Sequence, residues 1–232
     1  MNHPHLTSFL DFLFPRYCSA CGAKLQADEH PLCLKCSMML PRTWFWDDPY
    51  ENKMAQLYYG HVRLEKVASL FFFRSDSESA KVIYDTKYYG ARKTGEDMGR
   101  MMAEEMKESG FFADIDYIIP VPLSIRRRLQ RGYNQSEAIA EGLSHVTGIR
   151  MLTHVVVRTS FSTSQTNLTR DERAENVKDA FCLKDPYIIR GKHILLIDDV
   201  ITTGATTISC AREILKAEGT TVSVCSLGFA GK

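Results

Sequence analysis

The chain has almost no net charge and no long apolar run. Its 29 lysines and arginines offset 28 aspartates and glutamates, which leaves a formal net charge of +1 over 232 residues. Such a chain creates no strong overall field, so binding of a nucleic acid would need a local basic patch. No apolar run reaches the roughly 18–20 residues that cross a bilayer, and we therefore expect no membrane span. The 44% hydrophobic and 25% charged residues exclude collagen-like, low-complexity and largely disordered chains.

The N-terminal region lacks the features of a secretory signal. It has no basic leading region and no small-residue cleavage site, and Asp11 interrupts its apolar stretch. Apolar residues at helical spacing over residues 6–14 predict a short helix that packs on the protein; the alternative is a membrane-surface or partner helix. The seven cysteines are an odd number and include two close pairs, which favours a metal site in a reducing compartment over a disulfide framework. We therefore expect a cytoplasmic protein.

Two C-x2-C pairs predict a metal site. Cys18 and Cys21 form the first pair, and Cys33 and Cys36 follow after a short spacer. Four thiolates make a closed tetrahedral set that suits Zn²⁺ and leaves no position for a reacting water, so we expect a structural role. The alternative is four unrelated buried or redox-active cysteines. The predicted helix and this module make up residues 1–45, and residues 46–60 follow as a linker or docking segment.

Residues 61–232 alternate between apolar strands and helices. Fully apolar strands between helices indicate a parallel sheet that is covered on both faces. The predicted fold class is therefore α/β, with a small N-terminal zinc-binding module. The strand candidates are Val67–Phe73, Tyr117–Val121, His154–Arg158, Ile194–Ile197 and Thr221–Leu227, and the helix candidates are Asp76–Lys107 with a turn at Gly90, Ser124–Val146 and Ala205–Glu218.

The segment ILLIDDVITTGAT, residues 194–206, carries the strongest functional signal. Its apolar strand ends at Asp198 and Asp199, whose carboxylates can accept hydrogen bonds from vicinal hydroxyls. In an open α/β sheet ligands bind at the carboxyl ends of strands, and backbone N–H groups at a helix start bind phosphate. The segment therefore predicts a sugar-phosphate site, and the alternative is an ordinary strand–helix connection. The predicted phosphate turn consists of Thr202, Thr203, Gly204, Ala205 and Thr206, and Gly204 is expected to let the phosphate approach the backbone.

This segment resembles the phosphoribosyl pyrophosphate (PRPP) signature of type I phosphoribosyltransferases. The remainder of the chain is similar to the ComF family, whose members are also called ComFC- or GntX-like proteins. The resemblance runs from about Leu13 to Leu227. It rests on an LFPxxCxxCG start, on Lys87-Tyr88 with Gly90, on IIPVPLSIRRRLQRGYNQ and on RTSFSTSQTNLTRDERAENVKDAF, in family order.

The resemblance implies a type I phosphoribosyltransferase-like sheet with a site for PRPP. Asp198 and Asp199 would be the catalytic acids that hold the ribose hydroxyls, and the turn at residues 202–206 would bind the 5-phosphate. Val121 and Arg126 belong to the segment that resembles the pyrophosphate loop. For the arginines of this segment, a solvated face and a nucleic-acid contact are the alternatives.

Residues 159–178 resemble the loop that folds over the site in type I enzymes, and an ordinary exposed loop is the alternative. Arg170 and Arg173 in this loop would steady the leaving pyrophosphate. Lys87 would add a further positive charge near the diphosphate.

The implied reaction is substitution at ribose C1 with release of pyrophosphate, with Mg²⁺ bound together with PRPP. Three interpretations remain. The chain is a transferase with an unknown nitrogenous acceptor, an accessory protein of DNA uptake and use (competence) that binds PRPP and single-stranded DNA, or a module that senses PRPP without turnover. We further expect that the zinc module, with Trp44, Phe45 and Trp46 behind it, takes the place of the hood with which type I enzymes select a base.

Overall fold

The computed structural model describes residues 15–26, 29–86, 92–159 and 180–231. Its strands are β1 Val67–Phe72, β2 Tyr117–Pro120, β3 Arg150–Met151, β4 Val156–Arg158, β5 Phe181–Leu183, β6 His193–Ile201 and β7 Thr221–Phe229. Five of them form a sheet in the order β1-β7-β6-β2-β3, in which all neighbouring strands are parallel. β4 and β5 form a separate antiparallel pair. The predicted α/β class is confirmed.

Helices cover both faces of the sheet. The α-helices are α1 Leu34–Met39, α2 Glu78–Asp85, α3 Arg92–Met106, α4 Ile125–Arg131, α5 Gln135–Thr147, α6 Pro186–Ile189 and α7 Ala205–Ile214, and 3-10 helices span Ala55–Tyr58 and Lys107–Ser109. Leu195 and Ile197 of β6 pack with α3 and α5, whereas Ile194 and Leu196 pack with α7. This alternation is the period of a strand that is buried on both faces. Among the described helices, none is both long and apolar enough to span a bilayer.

Close packing of α3 on α5 fixes the start of α5 against the sheet. A Cβ at Gly99 would lie 2.0 Å from the carbonyl oxygen of Ile139, and one at Gly142 would lie 1.9 Å from that of Glu96. Only glycine permits two helix backbones to approach this closely. The N-terminal turn of α5 is thereby held at the carboxyl ends of β2 and β6, where the candidate site lies.

Three predicted elements differ from the structure by more than two residues. The helix predicted at Ser124–Val146 is two helices, because Gly132 ends α4 at φ +80° and Asn134 caps α5. The last predicted helix ends earlier, at Ile214. The strand predicted to stop before the acids continues to Ile201, because β7 supplies a parallel partner as far as Phe229. The helix predicted at residues 6–14 and the turn at Gly90 lie outside the described residues.

The N-terminal module packs along the free edge of β1. Arg42 forms an antiparallel bridge with Phe71, and the amide of Phe72 donates to the carbonyl of Pro41. Arg42 also pairs with Glu105 of α3. These contacts lie in the carboxyl-terminal half of β1. The module therefore lies toward the carboxyl ends of the strands, as the β6 acids do, and β1 and β7 separate it from β6.

Candidate functional site

The paired acids lie in the last part of β6, directly after four fully buried apolar residues. Asp198 and Asp199 are half-buried. The Ser136 hydroxyl of α5 donates to Oδ1 of Asp198 at 3.1 Å, and the amide of Asp199 donates to the same oxygen at 2.9 Å. Oδ1 of Asp199 accepts from the amide of Val200 at 2.7 Å. The two carboxylates are thus held in place near the carboxyl end of the central strand β6, where they can accept hydrogen bonds from a ligand diol.

The turn after β6 forms a small cavity at the start of α7. The cavity has a volume of about 40 Å³ and is lined by Asp198 and residues 200–207. Such a volume has room for a few water-sized groups. Gly204 is the N-cap of α7, and its carbonyl accepts from the amide of Ile208 at 2.8 Å and from the Thr207 hydroxyl at 2.9 Å. The structure therefore brings the five predicted turn residues and Asp198 together around one cavity at a helix N-terminus, which is a favourable place for an anion.

The backbone conformation of Gly204 gives a further reason for glycine at this position. Its φ is +73°, a left-handed conformation that L side chains rarely adopt. An added Cβ would meet Leu57, Tyr58 and Ile208 at an ordinary 3.6 Å, so it would lie on the protein side of the turn. The backbone conformation favours glycine here, and the close approach of a phosphate to this backbone stays a prediction.

The GYNQ segment ties the loop after β2 to the site. The Asn134 side chain donates to the Val121 carbonyl at 3.0 Å and accepts from the amide of Ser136 at 3.1 Å. The amide of Val121 in turn donates to the carbonyl of Ile197 at 2.8 Å. The hydroxyl of Tyr133 donates to the carbonyl of Thr86. This segment thus positions Val121 beside the end of β6 and places Ser136 against Asp198.

The arginines of α4 fall into two groups. Arg128 pairs with Glu137 at 3.4 Å, and Arg131 donates to the Gln135 side chain at 2.6 Å. Arg126 and Arg127 are exposed, and the helix also exposes Ile125 and Leu129. The first group connects α4 to α5, whereas the second offers positive charge to a ligand.

Arg158, at the end of β4, lies near enough to Asp198 for the two charges to interact, and the sequence analysis did not single it out. Its guanidinium lies over the Phe181 ring, 5.3 Å from the centroid. Burial and the nearby charge of Arg127 lower its pKa, while the charge of Asp198 acts in the opposite direction. Within the described residues no carboxylate lies within ion-pair distance of it. A half-buried cation without a counter-ion is costly, and an anion bound here would offset that cost. The sequence feature that could have indicated Arg158 is its position at the end of a strand, immediately before the long polar segment.

Three of the predicted site residues lie outside the described residues. Lys87 directly follows Thr86, whose carbonyl is held by Tyr133. Arg170 and Arg173 belong to the segment between β4 and β5. The amide of Thr159 donates to the carbonyl of Ala180 at 2.9 Å, so the described residues that flank this segment lie beside Arg158.

The four N-terminal cysteines form the predicted cluster. Their sulfur atoms all lie within 4.8 Å of one another, and the Sγ atoms of Cys21 and Cys33 are 3.8 Å apart. A tetrahedral Zn–S bond of about 2.3 Å requires sulfur–sulfur separations of about 3.8 Å. The donor set therefore fits a tetrahedral metal ion such as zinc. A Gly22 φ of +72° closes the first C-x2-C turn, and the amide of Gly22 donates to the carbonyl of Cys18 at 2.8 Å.

The ionisation of these thiols favours a bound cation. Although burial opposes it, backbone N–H groups of Cys33 and Cys21 lower the pKa of Cys18 to about 7. Burial and the neighbouring thiols raise the pKa of Cys36. A divalent metal offsets the repulsion between neighbouring thiolates and deprotonates the thiols that coordinate it.

Proteins that are similar to this chain include the following two curated relatives and one solved structure. Competence protein F of Haemophilus influenzae is 30% identical over 200 residues, which are 83% of this chain and 75% of that protein. DNA utilization protein YhgH of Salmonella typhi is 36% identical over 109 residues, so the chain matches about half the length (47%) of this relative. Glutamine PRPP amidotransferase from B. subtilis, solved with ADP and GMP, aligns over 62% of this chain and 30% of its own at 17% identity, with a TM-score of 0.44. No family model matches the chain.

Proposed function

Because this chain belongs to the competence protein F family, we propose that it binds PRPP at the carboxyl end of β6 and transfers the phosphoribosyl group to a nitrogenous acceptor. The observation that carries this proposal is the pair of carboxylates beside the anion turn. Asp198 lines the same cavity as residues 200–207. One pentose phosphate can thus place its 5-phosphate in the turn and its vicinal hydroxyls on Asp198 and Asp199.

With the 5-phosphate and the hydroxyls bound in this way, the reaction takes place at C1 of the ribose. The bond from C1 to the pyrophosphate oxygen breaks, its electron pair leaves with the pyrophosphate, and the lone pair of the acceptor nitrogen forms the new bond. A proton carried by that nitrogen passes to water. The carbon carries developing positive charge as the bond breaks, and the nearby carboxylates of Asp198 and Asp199 stabilise that charge. Ser136 holds Asp198 during this step.

The pyrophosphate gains negative charge as it leaves, so positively charged side chains are needed around it. Arg158 and the exposed Arg126 supply it from the described residues, and we assign Lys87, Arg170 and Arg173 the same task. Mg²⁺ bound with PRPP would neutralise pyrophosphate oxygens, and the half-exposed carboxylates of Asp198 and Asp199 are the type of oxygen ligand it accepts.

The four-cysteine cluster is proposed to hold a structural Zn²⁺. A four-sulfur set has no open position for water, so it supplies folding energy and not a reaction centre. Cys18 and Cys36 are buried together with Leu25, Leu32 and Trp46, and the ion would hold these residues against the body of the protein. The reduced thiols of such a site agree with a cytoplasmic location.

The test is pyrophosphate release from PRPP in the presence of Mg²⁺ and a panel of nitrogenous bases. We expect release with at least one base, and at least a tenfold loss in Asp199→Asn. Asp47→Asn is the matched control, since Asp47 is exposed in the segment before β1, and it should leave the rate unchanged. Saturable PRPP binding without turnover would overturn the transferase and leave a PRPP sensor. Absence of PRPP binding would overturn both.

A second function is favoured by the exposed face of α4. Arg126, Arg127, Ile125 and Leu129 are exposed on one short helix, and the relatives are named for competence and DNA utilization. Exposed arginines bind the phosphate backbone of a single strand of DNA. Binding that weakens with salt and is lost in Arg126→Ala plus Arg127→Ala would support this function. Binding that survives the double substitution would exclude this helix.

A further inference from the structure

A second cavity lies behind the phosphate turn, outside the site described above. It has a volume of about 580 Å³, which is within the range of small-molecule sites, roughly 300–1,000 Å³. A single segment of the chain, residues 49–67, supplies the lining. The cavity shares no residue with the acid pair or with the turn.

The frame of this cavity is preformed by hydrogen bonds. Buried Asn52 accepts from the amides of Met54 and Ala55 and donates to the carbonyl of Val67 at 2.8 Å. The amide of Val67 donates to the carbonyl of Pro49 at 2.8 Å. A ligand would therefore enter a shaped space and would not have to order the segment.

The lining combines free aromatic faces with charged groups. Tyr50 is 63% exposed and Tyr59 is 58% exposed, and in the described part of the chain neither ring packs against another aromatic ring. Exposed His61 and Arg63 lie on the same cavity, and Arg63 is only 4.0 Å from Glu65 in a loose ion pair. Aromatic faces stack on planar heterocycles, cations bind phosphate, and a carboxylate accepts from an exocyclic amino group.

We propose that this cavity binds a mononucleotide, with its base against Tyr50 and Tyr59 and its phosphate at His61 and Arg63. The site is separate from the proposed PRPP site and does not depend on turnover there. It is physically connected to that site, however. Tyr58, a wall of the cavity, forms a 2.9 Å hydrogen bond with Thr207, and Arg212 of α7 donates to the carbonyl of His61 at 3.0 Å. A ligand in the cavity thus acts on the helix whose N-terminus forms the phosphate turn.

The experiment is calorimetric titration with adenosine, AMP and the oligonucleotide (dT)10, without PRPP. Adenosine has no phosphate and therefore does not compete for the phosphate turn. We expect adenosine to bind once per chain, and Tyr50→Ala and Tyr59→Ala each to weaken binding at least fivefold, as loss of a stacking ring does. Tyr187→Ala is the matched control, because Tyr187 is 83% exposed on α6, and it should stay within twofold of the wild type.

Further variants distinguish base stacking from phosphate binding, and this cavity from the proposed PRPP site. Tyr59→Phe keeps the ring and should keep the affinity for adenosine, which shows that an effect of Tyr59→Ala is not a folding defect. Arg63→Ala should reduce the preference for AMP over adenosine at least threefold. Asp199→Asn should leave adenosine binding unchanged even if it abolishes PRPP chemistry, so the two proposals fail separately. The inference is overturned if neither adenosine nor AMP binds, if only (dT)10 binds, or if the tyrosine variants bind adenosine as well as the control does.

Discussion

Gly204→Ala tests the phosphate turn against a control that has the same backbone conformation. Gly204 and Gly148 both have φ +73°. A Cβ would meet only ordinary 3.6 Å contacts at Gly204 and nothing within 4 Å at Gly148. Neither alanine would clash, so each substitution costs mainly the left-handed strain of an L-residue, about 1–2 kcal/mol.

The strain should lower the melting temperature of Gly148→Ala, whereas in Gly204→Ala it should lower the affinity for PRPP. Gly148 ends α5 far along the chain from the turn, and its alanine should lower the melting temperature by about 2–8 °C, at about 2–4 °C per kcal/mol for a chain of this size. Around Gly204 the neighbours Thr203 and Ala205 are exposed, so the turn has room to relax. PRPP must then restore the original conformation, which reduces its affinity by about 5- to 30-fold, since 1.4 kcal/mol corresponds to tenfold.

The assay is calorimetric titration of PRPP into both variants, together with thermal unfolding of each. We expect Gly148→Ala to bind PRPP like the wild type, and Gly204→Ala to bind more weakly while losing no more thermal stability than Gly148→Ala. Equal PRPP affinities of the two variants would refute the assignment of the 5-phosphate to this turn.

Three further predictions concern the metal, the acid pair and the missed arginine. If the cysteine cluster holds the proposed zinc ion, its removal by a chelator should shift the fluorescence of Trp46, which is 3% exposed, to the red. Trp46→Phe should abolish that shift and Trp44→Phe should keep it; an unchanged spectrum on metal loss would contradict a folding role. Ser136→Ala removes the donor to Asp198 and should weaken PRPP binding about tenfold, as expected for a hydrogen bond to a charged group; wild-type affinity by calorimetry would disprove this positioning role. Arg158→Gln removes a half-buried cation, so PRPP affinity should fall at least tenfold while the melting temperature stays within about 3 °C; unchanged affinity would remove Arg158 from the site.

Two local arrangements, the cysteine cluster and the turn after β6, were predictable because the residues of each are close in sequence. The spacing of Cys18, Cys21, Cys33 and Cys36 indicated one cluster, which the structure contains. The turn at residues 202–206 is likewise a contiguous segment between a strand and a helix. Short-range patterns of this kind specify a local geometry without knowledge of the rest of the fold.

The features that were missed depend on contacts between distant parts of the chain. Ser136 donates to Asp198 across 62 positions of the chain, and the two residues meet because α5 packs on the sheet and Asn134 holds the start of α5 against Val121. The length of β6 is set by its pairing with β7, which no pattern within residues 194–201 contains. The break at Gly132 was the exception, since a glycine followed two residues later by a capping asparagine is a local signal for a new helix.

The central claim is that the end of β6 binds a pentose phosphate, and a crystal structure with ribose 5-phosphate tests it most directly. We predict the phosphate within hydrogen-bonding distance of the backbone amides of residues 203–206, and the 2- and 3-hydroxyls on the carboxylates of Asp198 and Asp199. Ribose 5-phosphate bound elsewhere on the chain, with the turn and both acids free of it, would contradict the claim.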